Sequence, residues 1–276
     1  MLAVLMAVAS MASVQLGVSL AVPVLLDYGP LSTSSLRLCW AALALLLWVR
    51  PSLHRLSAAQ WRAALLLGAG MTVMTLAFFM AIERLPQHLT VALEFCGPLA
   101  VAAFGVKGWR ALAWPLLAAC GILLLAWGDA RADGGADPAG LGFALLAAAG
   151  WATYIVMMKR VGHGFPGLQG LSVSLLVAAV LSLPFAAAEA GGLHFPGRQL
   201  LLTAGLAVLV PLVPYILEIQ SLRRLPAAAF GVLMSLEPAI GALSGWLVLG
   251  QGMDGGQMLG VSLVVAASIG VVRAAR

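Results

Sequence analysis

Long apolar runs alternate with short polar connections along the whole of this 276-residue chain. A helix that crosses a bilayer needs about 20 mostly apolar residues. Dividing the chain at charges, prolines and glycine clusters predicts ten helices of that kind. Their approximate limits are 3–26, 31–49, 62–82, 88–106, 111–127, 139–158, 168–188, 199–220, 227–249 and 256–272. The connections between them, including the Asp/Gly-rich 128–138, are too short to hold a domain outside the membrane.

Composition favours a membrane protein over a soluble one. Hydrophobic residues make up 62% of the chain and charged residues 9%, whereas soluble domains carry about 25% charged residues. A soluble fold of this composition would lack the polar side chains to cover its surface, so the apolar side chains must face lipid. The first run also lacks a basic start and is longer than the apolar core of a signal peptide, which favours a retained helix. We therefore predict an all-α membrane protein.

Charged residues between the helices predict the orientation of the chain. With both termini in the cytoplasm, the inner connections and the C-terminus hold eleven of the 15 lysines and arginines, as the positive-inside rule requires. The other four are Arg37, inside a helix, and Arg84, Arg131 and Arg198, in outer connections. The acidic residues of the connections are all outside, and they are Asp27, Glu83, Asp129, Asp133, Asp137, Glu189 and Asp254. An even number of helices with both termini inside is therefore predicted.

The chain also contains an internal repeat with an offset of 140 residues. Residues 83–86 (ERLP) match 223–226 (RRLP), and the segments VALEFCGPLAVAAFG (91–105) and GVLMSLEPAIGALSG (231–245) share four residues in register. Since five helices cross the membrane an odd number of times, the two halves must run in opposite directions. This predicts two inverted five-helix repeats, 1–132 and 133–276, within one bundle. Inverted repeats are typical of secondary transporters that alternate around a midplane site.

Four ionisable residues fall inside the predicted helices, namely Arg37, Glu94, Glu218 and Glu237. A charge at the bilayer centre costs about 3 kcal/mol or more, so such residues usually face a polar interior, a partner or water. They are candidates for binding substrate or protons. The alternative is a structural role, as an ion pair or as a protonated carboxyl packed against a neighbouring helix. For Glu218 a further alternative is that its side chain reaches toward the cytoplasmic surface near Arg223.

The positions of these residues along their helices favour a shared cavity. Glu237 lies three residues beyond the position that matches Glu94 in the repeat, on the same helical face. At a rise of about 1.5 Å per residue, Glu237 lies about 15 Å inside its helix, near the middle of a core of about 30 Å. Arg37 and Glu94 both lie about 9 Å from the outer ends of their helices. We predict that Arg37 and Glu94 form a charge pair or hold the two ends of a zwitterionic substrate.

Further polar and helix-breaking residues complete the predicted site. The polar candidates for the cavity wall are Ser13, Gln15, Ser19, Thr153, Tyr154 and Tyr215. Each of them on its own is more often an interhelical hydrogen-bond partner. The candidates for helix kinks, which either open a polar pocket or are purely structural bends, are Pro98, Pro214 and Pro238. The small residues expected to allow close helix packing are Gly231, Ser235, Gly241 and Gly245.

Several other classes of protein lack support in the chain. The basic residues form no stripe with interleaved aromatic residues, so nucleic-acid binding is not expected. The three cysteines, Cys39, Cys96 and Cys120, fall in apolar runs, which predicts neither a disulfide nor a metal site. No cofactor and no enzyme activity are predicted. An intramembrane protease would need a histidine or two aspartates inside the helices, and an ATP-driven pump would need a phosphate-binding glycine motif.

The segments VALEFCGPLAVAAFG (91–105) and VLMSLEPAIGALSGWLVLGQ (232–251) resemble the EamA-type members of the drug/metabolite transporter superfamily, and among them the threonine/homoserine exporter (Rht-type) branch. The resemblance covers nearly the whole chain, from SMASVQLGVSLA (10–21) onward. It implies a carrier of the bacterial inner (plasma) membrane with ten helices in two inverted halves. Such a carrier exports amino acids or related small metabolites and is coupled to the proton gradient. The four embedded charges match charged positions of that branch, without individual roles.

The cargo and the assembly stay open at this stage. The expected partners are the lipid bilayer and a small amino-acid-like molecule, and the chain does not decide whether it forms a homo-oligomer. The alternative is a carrier of other metabolites, drugs or nucleotide sugars on the same fold. A bulky anionic substrate would favour several basic residues at the cavity, and only Arg37 lies inside a predicted helix.

The predicted topology places the connection 128–138 outside the cell membrane. In a variant without the native cysteines, we expect a cysteine at Gly134 to react with a membrane-impermeant reagent from the periplasmic side. A cysteine at Arg55, in a predicted inner connection, is the matched control and should react only after lysis. The reverse labelling pattern would contradict the predicted orientation.

Overall fold

The computed structural model describes residues 2–85, 90, 93–105, 112–127, 137–234, 236–237, 240 and 255–274. Within these ranges the fold is helical and contains no strand. We number the helices α1 (Leu2–Tyr28), α2 (Pro30–Val49), α3 (Ala58–Ile82), α4 (Cys96–Gly105), α5 (Ala113–Trp127), α6 (Pro138–Gly164), α7 (Gln169–Ala190), α8 (Gly197–Leu222), α9 (Ala227–Met234) and α10 (Gly255–Ala274). A short 3₁₀ helix, Leu53–Arg55, lies between α2 and α3.

Five of the described helices are long and apolar enough to cross a membrane, namely α2, α3, α6, α7 and α8. Shorter apolar stretches occur in α1, α4, α5 and α10. Each of the predicted segments overlaps one of the described helices. The all-α class is therefore confirmed, while the number of complete crossings stays a prediction.

Local sequence signals explain where several helices begin and end. α3 begins with a capping box, in which the Ser57 hydroxyl accepts a hydrogen bond from the N–H of Gln60 and the Gln60 side chain accepts one from the N–H of Ser57. The carboxylate of Asp137 accepts a hydrogen bond in the first turn of α6. α7 ends at Gly191, whose φ of 70° is readily adopted only by glycine.

The start of α2 is completed by a residue from the other half of the chain. Gly29 occupies the N-cap position and supplies no side-chain cap. The carboxylate of Glu189, at the end of α7, accepts hydrogen bonds from the backbone N–H groups of Leu31 (3.2 Å) and Ser32 (2.6 Å). An acidic group at this position satisfies free N–H groups and complements the positive end of the helix dipole. Glu189 thus holds the start of α2 and the end of α7 together.

Helices from the two halves of the chain pack antiparallel. Along α1 and α8, the Ser221 hydroxyl donates to the carbonyl oxygen of Ala3 (2.8 Å) and the Ser13 hydroxyl to that of Leu209 (2.8 Å). Residue numbers therefore rise along α1 as they fall along α8. Contacts of α3 with α6, α2 with α7, α4 with α9 and α5 with α10 follow the same opposite order.

Contacts at the two ends of the bundle sort the connections into two groups. At one end Arg84 and Asp137, both from predicted outer connections, form an ion pair with an N–O distance of 3.5 Å. At the other end the side chain of Gln60 donates to the carbonyl oxygen of Gly164 (3.1 Å), and Lys159 donates to two carbonyl oxygens at the end of α8. These residues belong to predicted inner connections. The grouping agrees with helices that alternate in direction, while the end that faces the cytoplasm stays a prediction.

α8 is interrupted midway along its length. Val210 has φ −150° and ψ 111°, outside the helical region, within a wider turn formed by Val208–Leu212. Pro211 cannot donate a backbone hydrogen bond to the preceding turn, which accounts for the break. The predicted kink at Pro214 is therefore misplaced, because Pro214 lies in the regular first turn of the arm Val213–Leu222.

The other two predicted kinks have different outcomes. Pro98 lies in the first turn of α4, which follows a turn at Phe95. Proline is tolerated in a first turn, where its N–H would have no partner within the helix. Because Leu93 and Glu94 are also helical, a break separates two helical stretches one turn before Pro98, and the predicted kink stays a prediction. Pro238 lies outside the described residues.

Close approach of two backbones depends on glycine at the start of α4 and within α9. A Cβ atom at Gly97 would lie 2.2 Å from the carbonyl oxygen of Ala148, and one at Gly231 would lie 2.4 Å from that of Pro98. Real Cβ atoms do not approach oxygen so closely. The predicted packing role of Gly231 is confirmed. The other small residues predicted to pack, Ser235, Gly241 and Gly245, lie outside the described residues.

We expect Gly97→Ala to destabilise the protein by about 1–3 kcal/mol, because the added methyl group collides with the backbone of α6. Gly142→Ala is the matched control, since no atom lies within 4 Å of the added Cβ and alanine favours a helix by about 1 kcal/mol over glycine. Thermal unfolding in detergent should show a lower Tm for Gly97→Ala and an unchanged or higher Tm for Gly142→Ala. Equal Tm values would contradict the close contact of α4 with α6.

Candidate functional site

A cavity of about 220 Å³ lies between α1, α2, α3, α6, α8 and the segments around Glu94 and Glu237. The four ionisable residues predicted inside the membrane helices, Arg37, Glu94, Glu218 and Glu237, all line it. The structure therefore brings together side chains that are far apart in sequence. Most of the remaining wall is apolar or aromatic, and it includes Met74, Phe78, Phe79, Trp151 and Met234.

Arg37 is the one basic residue among the described residues that line the cavity. Its side chain is 6% exposed, and Nη2 donates to the hydroxyl of Ser34 one turn earlier on α2 (3.1 Å). The Nε atom is buried and donates to no described residue. A buried charge with unused donors is unfavourable unless an anion approaches it. The guanidinium is therefore suited to bind a carboxylate through parallel N–H donors.

The predicted charge pair between Arg37 and Glu94 does not form. Within the described residues the one ion pair with an N–O distance of 4.0 Å or less is that of Arg84 with Asp137. The reason lies in the packing, since α2 contacts mainly α7 and α8 whereas α4 contacts mainly α9 and α6. Equal depth in the membrane therefore does not bring the two side chains into contact. Both line the same cavity, so their joint binding of a zwitterion stays a prediction.

Glu218 is held by hydrogen bonds from two other helices. Its side chain is buried, and Oε1 accepts from the Ser10 hydroxyl on α1 (2.5 Å) while Oε2 accepts from the Tyr154 hydroxyl on α6 (2.6 Å). Both distances lie in the range of about 2.5–2.7 Å that is typical of hydroxyl groups bonded to a carboxylate. The alternative in which Glu218 reaches toward the cytoplasmic surface is therefore wrong.

Glu94 and Glu237 have carboxylates that accept no hydrogen bond from a described residue, although both line the cavity. They are close enough to interact electrostatically with each other. Two carboxylates with unused acceptor oxygens form a local negative field that attracts a cationic group such as an ammonium. This part of the cavity is therefore the chemical counterpart of the guanidinium of Arg37.

Two tyrosines connect the charged parts of the cavity. The rings of Tyr154 and Tyr215 lie with their centroids 5.1 Å apart, and both rings are buried. Tyr215 is within electrostatic range of Arg37, Glu94 and Glu218. The tyrosines thus form a polar strip on a wall that is otherwise mainly apolar.

Three predicted wall residues are engaged elsewhere and do not line the cavity. The Ser13 hydroxyl donates to the carbonyl oxygen of Leu209, and the Gln15 amide donates to the carbonyl oxygen of Glu237 (3.1 Å). Ser13 and Gln15 are therefore interhelical hydrogen-bond partners. Thr153 is exposed and donates within its own helix. The side chain of a further candidate, Ser19, lies outside the described residues.

Several residues of the site were missed at the level of sequence, and three of them carry hydroxyl groups. Ser10 lies one turn before Ser13, and Ser34 lies one turn before Arg37, so helical spacing was the available signal. Thr75 is half-buried at the cavity wall and makes no hydrogen bond to a described residue. The aromatic residues of the cavity wall could not be identified from the sequence, because aromatic residues that face lipid occur in the same apolar runs.

The described residues contain no group of three histidine, cysteine, aspartate or glutamate side chains that could hold a metal ion. The polar side-chain groups of the described residues at the cavity are mainly carboxylates, hydroxyl groups and one guanidinium. These groups can bind an organic ion or exchange a proton.

Known proteins resemble this chain over almost its full length. The EamA-like transporter family matches residues 138–273. The threonine/homoserine exporter RhtA of Salmonella typhimurium strain LT2 is 36% identical over 270 residues, which cover 98% of this chain and 90% of that protein. The threonine/homoserine exporter RhtA of Escherichia coli strain K12 is 35% identical over 262 residues, which cover 95% and 88% of the two chains.

A crystal structure with 20% sequence identity superimposes on 99% of this chain and 97% of its own, with a TM-score of 0.79. At this identity the likeness shows the fold alone. The identity of 35–36% to the two exporters confirms the resemblance carried by residues 91–105 and 232–251. The chain therefore belongs to the EamA-like transporter family, and it is a multi-pass membrane protein that transports and is not an enzyme.

Proposed function

We propose that this protein exports small amino acids such as threonine and homoserine across the bacterial inner membrane. The observation that carries the proposal is a cavity in which an arginine that forms no ion pair with a described residue lies near carboxylates that accept no hydrogen bond from one. The names of the exporters that are 35–36% identical support the same substrate class.

An amino acid matches this cavity in charge. Its carboxylate would bind the guanidinium of Arg37, and its ammonium would bind the carboxylates of Glu94 and Glu237. Each charge of the ligand would then be compensated inside the membrane, where an uncompensated charge is costly. The hydroxyl of Thr75, which has no partner among the described residues, is available to the side-chain hydroxyl of threonine or homoserine.

The size of the cavity argues against larger cargo. Its volume is about 220 Å³, whereas pockets for drug-sized molecules measure about 300–1,000 Å³. A nucleotide sugar also carries several negative charges, and Arg37 is the one basic group of the described wall. A carrier of drugs or nucleotide sugars is therefore the weaker alternative.

The walls of the cavity support an inverted repeat of residues 1–132 and 133–276. At the repeat offset of 140, residues of the first half have counterparts in the second half that line the same cavity. These pairs are Val14 with Tyr154, Met74 with Pro214, Thr75 with Tyr215, Phe78 with Glu218 and Glu94 with Met234. A pseudo-twofold axis through the cavity would produce this pairing. The same axis would also produce the antiparallel packing of α2 on α7, α4 on α9 and α5 on α10.

Alternating access would follow from such a frame. Ten helices in two inverted halves can expose a central cavity to either side in turn. In this proposal both termini are cytoplasmic, and the proton gradient drives export in exchange for protons. The contacts that group inner and outer connections at opposite ends of the bundle support the alternation of helix directions.

The transport assay that tests this proposal uses purified protein in liposomes with an acidic lumen. We expect labelled threonine or homoserine to enter against its gradient as protons leave, at rates well above those of protein-free liposomes. Glu237→Gln should insert normally and reduce gradient-driven uptake by about tenfold or more, because a carboxylate at the cavity is lost. Glu83→Gln, at an exposed carboxylate, is the matched control. Full transport by Glu237→Gln would leave Glu237 with a structural role only.

Charge reversal tests whether Arg37 and Glu94 bind opposite ends of the substrate. Because the two side chains form no ion pair, we expect the double variant Arg37→Glu/Glu94→Arg to insert but to transport poorly. The swapped charges would no longer match Ser34, Glu237 and the tyrosines around them. Restored transport in the double variant, with both single variants poorly expressed, would instead indicate a structural pair. Single variants that transport at the normal rate would remove both residues from the site.

A further inference from the structure

We infer that Glu218, together with Ser10 and Tyr154, forms the proton-coupling site of this transporter, separate from the substrate-binding groups Arg37, Glu94 and Glu237. The inference rests on the proposed export of amino acids and assigns one of its steps to named residues. Its evidence is the difference in hydrogen bonding between the three carboxylates at the cavity, together with the position of Glu218 between three helices.

The three carboxylates differ in what their oxygen atoms already bind. Both oxygens of Glu218 accept hydrogen bonds, one from Ser10 and one from Tyr154. An ammonium would have to compete with these two hydroxyl groups for Glu218. The carboxylates of Glu94 and Glu237 accept no such bond from a described residue. Among the described groups, a ligand amine therefore meets no competing donor at Glu94 and Glu237, while Glu218 is accessible chiefly to a proton.

Comparison of the two repeats argues against a purely structural role for Glu218. At the repeat offset of 140 residues, Phe78 takes the place of Glu218 and Val14 takes the place of Tyr154. The same offset relates Ser10 to Gly150. The contact of α3 with α6, which matches the contact of α1 with α8 at Ser10 and Glu218, therefore forms without a carboxylate or a hydroxyl donor at the matching positions. Since apolar residues suffice for this packing, the polar group in the second half needs a reason other than packing.

Proton uptake at Glu218 would change the contacts between three helices. A carboxylate only accepts hydrogen bonds, whereas a carboxyl group that has gained a proton donates through its new O–H bond. When a proton binds to one oxygen, the hydroxyl group that donated to this oxygen must turn or move away. Ser10 is on α1 and Tyr154 is on α6, so the change reaches both helices from α8. Proton binding is thereby linked to the arrangement of the cavity walls.

The surrounding charges would make protons and substrate compete. Tyr154 faces Glu218 from α6 and Tyr215 from its own helix, and Glu237 lies within electrostatic range. Arg37 on α2 and Glu94 share the cavity. An ammonium bound at Glu94 and Glu237 would bring a positive charge near Glu218 and disfavour a proton there. Binding of one cation at a time is what an exchange of protons for amino acids requires.

Two assays on the same liposomes separate proton coupling from substrate binding. Counterflow measures the entry of labelled threonine in exchange for unlabelled threonine at equal pH, and it needs no net proton movement. Accumulation driven by an acidic lumen needs the proton step. We expect Glu218→Gln to keep counterflow at saturating threonine within about twofold of the wild type, since the neutral amide weakens threonine binding without abolishing it. The same variant should lose accumulation by about tenfold or more, because an amide cannot gain and release the coupled proton.

Further variants keep the proposal testable where Glu218→Gln fails to fold. Tyr154→Phe and Ser10→Ala each remove one donor, and we expect each to shift the pH dependence of accumulation while counterflow persists. Glu237→Gln should lose counterflow and accumulation together, and Glu83→Gln should lose neither. The tryptophan fluorescence and the elution volume in detergent monitor the fold of each variant.

The outcomes separate this inference from the proposed function. Glu218→Gln that accumulates threonine normally, or that loses counterflow and accumulation equally while folded, would overturn the assignment of Glu218. Glu237→Gln that keeps counterflow and loses accumulation would move the proton site to Glu237. A wild-type protein that exchanges threonine without any response to pH would refute proton coupling alone. A wild-type protein that exchanges no amino acid would instead refute the proposed function.

Discussion

The inability of lipid to solvate charge determines where the polar residues of this chain lie. A bundle that is 62% hydrophobic still carries an arginine and three glutamates inside its helices. Each of these side chains would be costly against lipid, and all four lie at one cavity between the helices. At the cavity each of these side chains avoids lipid, since it lies near hydroxyl groups, other charged side chains or the open volume of the cavity. The cavity is thus a consequence of the membrane as much as of the substrate.

The same constraint explains which contacts hold the halves of the chain together. In lipid, apolar packing favours one helix neighbour only weakly over another, so small residues and hydrogen bonds decide the arrangement. Glu189 completes the first turn of α2 from the end of α7, and Lys159 on α6 satisfies carbonyl oxygens at the end of α8. Gly97 lets the start of α4 approach α6 closely. These contacts lie at both ends of the bundle and beside the cavity, where they fix its walls.

The sequence predicts the features that the bilayer requires, such as apolar helices and rare embedded charges. It predicts less well the features that depend on how the helices pack. Apolar length predicts the helical segments, and the rarity of embedded charges singles out Arg37 and Glu218 among 276 residues. The depth of a residue along its helix can be counted from the sequence. The rotation of the helix about its axis and the identity of its neighbours cannot, and for this reason the predicted ion pair of Arg37 with Glu94 is wrong. The break at Val210 escaped for a related reason. Pro211 and Pro214 are both helix breakers in sequence, and tertiary packing decides which of them interrupts the helix.

In the proposed repeat, that break gives the two halves different chemistry. α3 is continuous from Ala58 to Ile82, whereas α8, its counterpart in the repeat, is broken at Val210. Non-helical backbone at membrane depth is tolerated only where it is buried in protein or lines a cavity. Both Val210 and Pro211 line the cavity described above.

The broken helix α8 also carries Glu218, and its continuous counterpart α3 carries Phe78 at the matching position. One half therefore supplies a straight and largely apolar wall, while the other supplies the irregular and polar wall. A strictly symmetric pair would place equal chemistry on both sides of the cavity, and two Glu218-like carboxylates would then repel each other across a space of about 220 Å³. Phe78 at the matching position therefore adds no fourth carboxylate to Glu94, Glu218 and Glu237. Glu218 keeps its two hydroxyl donors, which come from α1 and α6.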